Sequence, residues 1–278
     1  MRLIPLALVA SAVAAPLSAQ WTTSVAGYDI CRPIWREYGR MMHGHADAVY
    51  CEVREIGAFK PTAAIEVDGG DRSGVTVQGS PRVDARVRLV IQAQGRTVED
   101  AKALAQRATL DLNARPLRIS GIDEERRSDD HFVAAIILID APEKSDLTVR
   151  VNYAPLAVEG VAGKMDVRAA YGPLTLRNVA GDVRARVDHG PLTVELTDAH
   201  WQGAGLDAEA DYGPMTLRVP RDFNADLEIG AENGPMDVDF PLTLTRLDGR
   251  RIRTKLGSGG APVRAVADYG PFSLQVTR

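Results

Sequence analysis

The feature that most constrains this chain is a four-residue step, aromatic-Gly-Pro-aliphatic, that returns at near-constant spacing. Tyr171-Gly172-Pro173-Leu174 recurs as His189-Gly190-Pro191-Leu192, 18 residues on. Related copies are Tyr153-Ala154-Pro155-Leu156, Tyr212-Gly213-Pro214-Met215, Asn233-Gly234-Pro235-Met236 and Tyr269-Gly270-Pro271-Phe272. Measured at the prolines, the intervals are 18, 18, 23, 21 and 36 residues. The last is twice 18, which predicts a copy that has lost its signature near Arg251 to Gly260.

Residues flanking the steps alternate. Val149-Arg150-Val151 precedes the first, and Leu174-Thr175-Leu176, Val183-Arg184-Ala185-Arg186-Val187 and Met215-Thr216-Leu217 follow the same rule. Period-two alternation predicts strands with one buried face, and Gly and Pro interrupt them. Proline donates nothing to a strand ladder, so it belongs at a corner or a strand start. A unit of about 20 residues made of short strands cannot bury its own apolar face and must stack on its neighbours. These features predict an all-β, single-domain β-solenoid with 18–23 residues per coil. At one strand spacing of ~4.8 Å per coil, six or seven coils make a rod roughly 30 Å long. Gly and Pro turn the corner, and the following Leu, Met or Phe enters the core. The competing architecture is an antiparallel sandwich with regular hairpins. The self-similarity of successive units argues against it, because a sandwich needs none.

The N-terminal half is less regular. Ile65-Glu66-Val67, Val75-Thr76-Val77, Val83 to Gln92 and Phe132 to Leu138 read as strands. Thr97 with Asp100 three residues on reads as a helix start. Val98, Ala101, Leu104, Ala105 and Ala108 share one helical face, and Pro116 places the helix end near Leu112. This helix, over 98–112, is expected to cap or flank the stack, whose open ends need cover.

The first 19 residues read as an export leader. Arg2 supplies the positive end, Leu3 to Ala15 the short apolar run, and Leu17-Ser18-Ala19 the small residues before cleavage. The reading divides the chain into a leader (1–19), an N-terminal segment (20–60) and the repeat domain (61–278). The mature product is expected to be periplasmic, outer-membrane associated or secreted. No apolar run of ~20 residues follows the leader, so no transmembrane span is expected in the mature chain. Cys31 and Cys51 are the two cysteines, and in an exported chain they suggest one disulfide. It would close a loop of about 20 residues and contribute ~3 kcal/mol. The formal charge of −4 is mixed along the sequence and marks no nucleic-acid partner.

Together these residues resemble the bacterial "putative adhesin" family, a domain-of-unknown-function group of exported β-solenoids. The matching stretches are Tyr50 to Glu55, Val83 to Ala93 with the helix after it, every Gly-Pro step, and the tail Lys255 to Gly260 with Val263-Arg264-Ala265 and Tyr269-Gly270. The resemblance covers roughly residues 50 to 278. It implies a non-enzymatic, adhesin-like binding or scaffold role at the cell envelope, with a glycan or an envelope protein as partner and no cofactor. The chain departs from the family in placing Tyr or His before the glycine, where Asn is usual, and Pro after it.

Four groups of residues are candidates for chemistry. In a stack, Tyr153, Tyr171, His189, Tyr212, Asn233 and Tyr269 would line one corner. Such an aromatic strip either binds a sugar or peptide or only packs. His43, His45 and Asp47 could hold a metal but lack the ligand number of strong zinc patterns, so no metal site is expected, and His131 and His200 stand alone. The acids Asp129-Asp130, Asp207, Glu209, Asp211, Asp237 and Asp239 leave open a carbohydrate-active enzyme on a β-helix. Their alternate spacing instead suits an outward, solvated face. The sequence carries no nucleophile elbow, phosphate loop or HExxH helix. The basic run Arg250 to Lys255 reads as a solvated edge or a contact for an anionic surface.

Overall fold

The computed structural model describes residues 22–23, 48–122, 131–241, 246–248 and 250–277. Residues 1–19, which the sequence reads as a leader, and Cys31, His43, His45, Asp47, Asp129 and Asp130 lie outside the described residues. After the two-residue β1 (Thr22–Thr23) come β2 (Ala48–Phe59), β3 (Ile65–Asp68), β4 (Ser73–Ser80) and β5 (Ala85–Gly95). The helix α1 (Val98–Arg107), the short pair β6 (Thr109–Leu110) and β7 (Ile119–Ser120), and β8 (Phe132–Pro142) follow. The repeat region is β9 (Leu147–Val151), β10 (Leu156–Glu159), β11 (Ala162–Tyr171), β12 (Leu174–Arg177), β13 (Ala180–His189), β14 (Leu192–Glu195), β15 (Gly205–Tyr212) and β16 (Met215–Val219). The chain continues through β17 (Ala225–Ala231), β18 (Met236–Asp239), β19 (Arg246–Asp248), β20 (Arg251–Leu256), β21 (Pro262–Tyr269) and β22 (Phe272–Val276).

Successive repeat strands go to two different sheets. β9, β11, β13 and β15 lie side by side in one, and β10, β12, β14 and β16 in the other. Within each sheet neighbouring repeats pair in parallel and in register, so Leu156, Leu174, Leu192 and Met215 form one inward column. Leu147, Met165, Val183 and Leu206 form another from the opposite sheet. Both columns belong to one buried core. Parallel strands whose equivalent positions carry the same residue class leave each inward side chain packed on its own kind. Both sheets are mixed overall, because β2, β5 and β8 pair antiparallel in one and β17, β20 and β19 in the other.

At the N-terminal end one sheet runs on past β4 through β8, β5 and β2, while the other stops at β3. Among the described residues the second sheet supplies no strand beyond β3. Helix α1 packs there against β5, β2 and β8, burying Ala101, Leu104 and Ala105 in the common core. Thr97 caps its start: its hydroxyl accepts from the Asp100 amide, and the Asp100 carboxylate accepts from the Thr97 amide. The helix ends at Arg107 instead of near Leu112. Arg54 of β2 donates to the carbonyls of Ala105 and Ala108, and Thr109 turns extended to pair with Ser120. That cross-chain cap, not Pro116, sets the end. β2 pairs along its length with β5, so part of the segment before residue 61 is built into the sheet.

The C-terminal end departs from the simple count of repeats. β21 lies between β15 and β17, and β22 between β16 and β18. The last repeat in sequence is thus the next-to-last in space. Residues 251–256 are not a repeat that lost its signature. They form β20, antiparallel to β17, and with β19 make a charged hairpin at the outer edge of that sheet. Charged side chains on an edge oppose pairing with stray strands.

Among the described residues no helix is long and apolar enough to cross a membrane.

Candidate functional site

The corner step builds one continuous edge along the molecule. Parallel register brings Tyr171 beside His189, His189 beside Tyr212, and Tyr212 beside Tyr269. The rings of Tyr153, Tyr171, His189, Tyr212 and Tyr269 stack face to face, with centroids 4.7, 4.7, 4.9 and 5.0 Å apart and planes within 13° of parallel. All five sequence candidates therefore meet in one ladder. Asn233 continues it on the far side of Tyr269, where its amide donates to the Asp268 carbonyl at 2.8 Å. The spatial order is 153, 171, 189, 212, 269, 233, as the inserted repeat requires.

The glycines make this spacing possible. A Cβ at Gly172 would run into Ala154, one at Gly190 into Gly172, one at Gly213 into Gly190, one at Gly270 into Gly213 and one at Gly234 into Gly270. In each case the obstacle is the backbone of the preceding repeat. Alanine occurs only at the first position of the column, Ala154. Each following proline immediately precedes a strand, where its missing N–H costs no ladder bond.

The ladder is open to solvent: Tyr153 is 55 %, Tyr171 46 %, Tyr212 52 % and Tyr269 55 % exposed. Ring faces are nonetheless occupied by neighbouring rings. What remains for a ligand is the line of ring edges and polar tips, flanked by exposed Pro191, Pro214, Pro235 and Pro271. A sugar lying flat on a ring face has room only at the ends of the stack.

A second row runs beside the first. The residue before each aromatic faces outward on the neighbouring sheet, and in spatial order these residues are Asn152, Ala170, Asp188, Asp211, Asp268 and Glu232. The row turns acidic from His189 onward. Arg168 holds Asp188 with two bonds of 2.9 Å, and Arg251 meets Glu232. Among the described residues Asp211 and Asp268 have no cation in salt-bridge reach. Glu209, Asp211 and Asp268 bring carboxylate oxygens within 4.8 Å of one another. Burial, and then the charges of Glu209, Asp188 and Asp268, push the Asp211 carboxyl above its ordinary range. The sequence reading grouped Asp211 with Asp207 and Glu209 and missed this row. The available signal was an Asp directly before the aromatic in three copies, Asp188-His189, Asp211-Tyr212 and Asp268-Tyr269.

Asp207 and Glu209 are engaged. Arg264 donates to Asp207 at 2.6 Å and to Glu209 at 3.1 Å, and Arg186 to Glu209 at 3.0 Å. Asp207 and Arg264 belong to a row of alternating sign across six strands: Asp166, Arg184, Asp207, Arg264, Glu228 and Arg253. Asp237 and Asp239 are exposed on the opposite sheet. In the basic run, Arg251 and Arg253 pair with Glu228, and Arg250 donates to the Glu232 carbonyl. His200 is exposed, and His131 half-buried. Cys51 is buried in β2.

No family model matches the chain, and no curated protein matches it. Among solved structures, a "putative cell adhesion protein" from Clostridium sporogenes is 9 % identical over 82 % of this chain and 99 % of its own, with a TM-score of 0.43. A "putative adhesin" from Parabacteroides distasonis is 9 % identical over 82 % and 97 %, with a TM-score of 0.37. A "putative lipid binding protein" from the same species is 11 % identical over 82 % and 97 %, with a TM-score of 0.23. These are distant likenesses, and none bears on the chemistry of the edge.

Proposed function

We propose that this chain is a non-enzymatic binding module of the bacterial cell envelope, exported by its leader and built as a β-solenoid that displays the aromatic edge as its contact line. Support for the solenoid comes from the walk of successive repeats, each placing one strand in each of two sheets, in register with the last. The observation that carries the binding role is the unbroken stack of five exposed rings. A folded chain gains nothing in solubility from four half-exposed tyrosines in one line, and exposed apolar ridges of this kind mark contact sites. The ladder is also rigid before any partner arrives, because register, glycine column and stacking all hold it. A preformed site loses little side-chain entropy on binding.

The test is binding of the full chain to arrays of bacterial and host glycans and of peptides, beside the variant Tyr171→Ala/Tyr212→Ala. A defined ligand bound by the native protein and lost in the folded variant is the expected result. Binding by neither, with both folded by circular dichroism, overturns the contact line and favours a purely structural envelope scaffold.

A further inference from the structure

Much of the charge on the outer face beside the ladder is paired. Asp166 meets Arg150, Asp188 meets Arg168, Asp207 and Glu209 share Arg186 and Arg264, and Glu228 meets Arg251 and Arg253. Among the described residues Asp211 and Asp268 have no ion pair, lie on neighbouring strands with carboxylate oxygens within 4.8 Å, and stand next to the exposed rings of Tyr212 and Tyr269. Repulsion between neighbouring carboxylates costs folding stability. The pair stands where the contact line is.

We infer that the half of the aromatic edge from His189 to Asn233 docks an extended polypeptide bearing lysine or arginine side chains, which supplies the cations that Asp211 and Asp268 lack. This rests on the reading of the ladder as a contact line and names its partner class. Long basic side chains fit both rows at once, with methylene stems lying along ring edges and charged heads reaching the carboxylates. The spacing favours a chain over a single ion. Strands sit ~4.8 Å apart, so two rungs span roughly 9.6 Å. A polyproline-II segment returns the same side chain after three residues, about 9.3 Å. Basic residues three apart would thus meet carboxylates two rungs apart, Asp268 with Asp188 or Asp211 with Glu232, so that either register sets one charged head on a carboxylate without a cation. The intervening prolines would lie against the ring edges and the exposed Pro191, Pro214 and Pro271.

The experiment is fluorescence anisotropy of the full chain with a labelled peptide of Lys-Pro-Pro repeats, and with its Gln-Pro-Pro counterpart. The variant Asp211→Asn/Asp268→Asn keeps shape and removes repulsion, so loss of folding is not its expected fault. The variant Asp237→Asn/Asp239→Asn changes the net charge equally on the opposite sheet. The expected result is binding of the lysine peptide alone, about tenfold or more weaker in the first variant, unchanged in the second, and weakened by salt. No binding of the lysine peptide, or equal weakening in both variants, overturns the inference. A neutral ligand on the arrays that needs Tyr171 and Tyr212 but ignores Asp211→Asn/Asp268→Asn overturns it too, while leaving the contact line standing. Tight calcium binding by the native chain without peptide binding also counts against it.

Discussion

Replacing Gly213 with alanine tests whether the close approach of repeats is what fixes this edge. The added Cβ would lie 2.6 Å from the Gly190 carbonyl carbon and nearer still to its oxygen. An ordinary contact begins near 3.4 Å. The carbon contact alone demands that the two repeats part by about 0.8 Å at this corner, and the nearer oxygen demands more. The Gly190 amide donates to the Tyr212 carbonyl at 3.0 Å, and parting stretches that bond past useful length. The His189–Tyr212 stack, now 4.9 Å, opens with it. Overpacking at about 1–3 kcal/mol, a lost backbone bond at about 1 kcal/mol and a weakened aromatic pair at about 1 kcal/mol give a cost of about 3–5 kcal/mol. In a domain of this size that is a fall in Tm of roughly 6–20 °C. Gly160→Ala is the comparison: its φ of +66° is left-handed, but nothing lies within 3.8 Å of the new Cβ. Only the conformational penalty of about 1 kcal/mol applies there. Both variants can be ranked by urea denaturation followed by circular dichroism. If Gly213→Ala costs no more than Gly160→Ala, steric contact between repeats is not what demands glycine at the corner.

Mass spectrometry of the exported protein checks the N-terminal proposals together: the chain should begin at Gln20 and weigh two hydrogens less than its dithiol form, with Cys31 joined to Cys51. Reduction should then lower stability by ~3 kcal/mol, and a free thiol at both positions would remove the disulfide from the account. Two carboxyls should respond to acid in opposite senses. Asp211 is held above its ordinary 3.8, so protonation favours the folded state and that benefit is lost as pH rises through the raised value. Asp211→Asn should therefore stabilise at neutral pH and do nothing once the native carboxyl is protonated. Glu55 is held below its ordinary 4.5 by its bonds to Arg86, so its contribution is present above 4.5 and fades as pH falls through the lowered value. Glu55→Gln should cost less than about 1 kcal/mol at neutral pH, the usual worth of an exposed pair. Stability curves from pH 2 to 8 with the same sign for both variants would refute this assignment.

Much of the architecture was legible because a repeating unit writes its contacts locally. The alternation of Leu174-Thr175-Leu176 tells which side chains are buried, and the interval between Gly-Pro steps tells which residues become neighbours across the sheet. The ladder of Tyr153, Tyr171, His189, Tyr212 and Tyr269 follows from those two facts. The helix start at Thr97 was legible for the same reason, since a capping box lies within four residues. Its end was not, because the group that closes it is Arg54, on a strand more than forty residues earlier.

What the sequence determined by itself is the composition of each rung and the corner that turns it. What only the tertiary structure decided is the order of the rungs at the C-terminal end and the consequences of that order. β17 and β21 both offer alternating apolar faces that could follow β15, so no local signal chooses between them. The choice depends on which arrangement lets β20 return along the outer edge of β17 while β21 and β22 fill the space inside. That placement sets Asp268 beside Asp211 and Tyr269 beside Tyr212. It also closes the ring faces against one another and leaves edges and carboxylates as the exposed chemistry. Such pairings are settled by competition between distant strands of similar character, and the result depends on the packed ensemble of strands, not on any one segment.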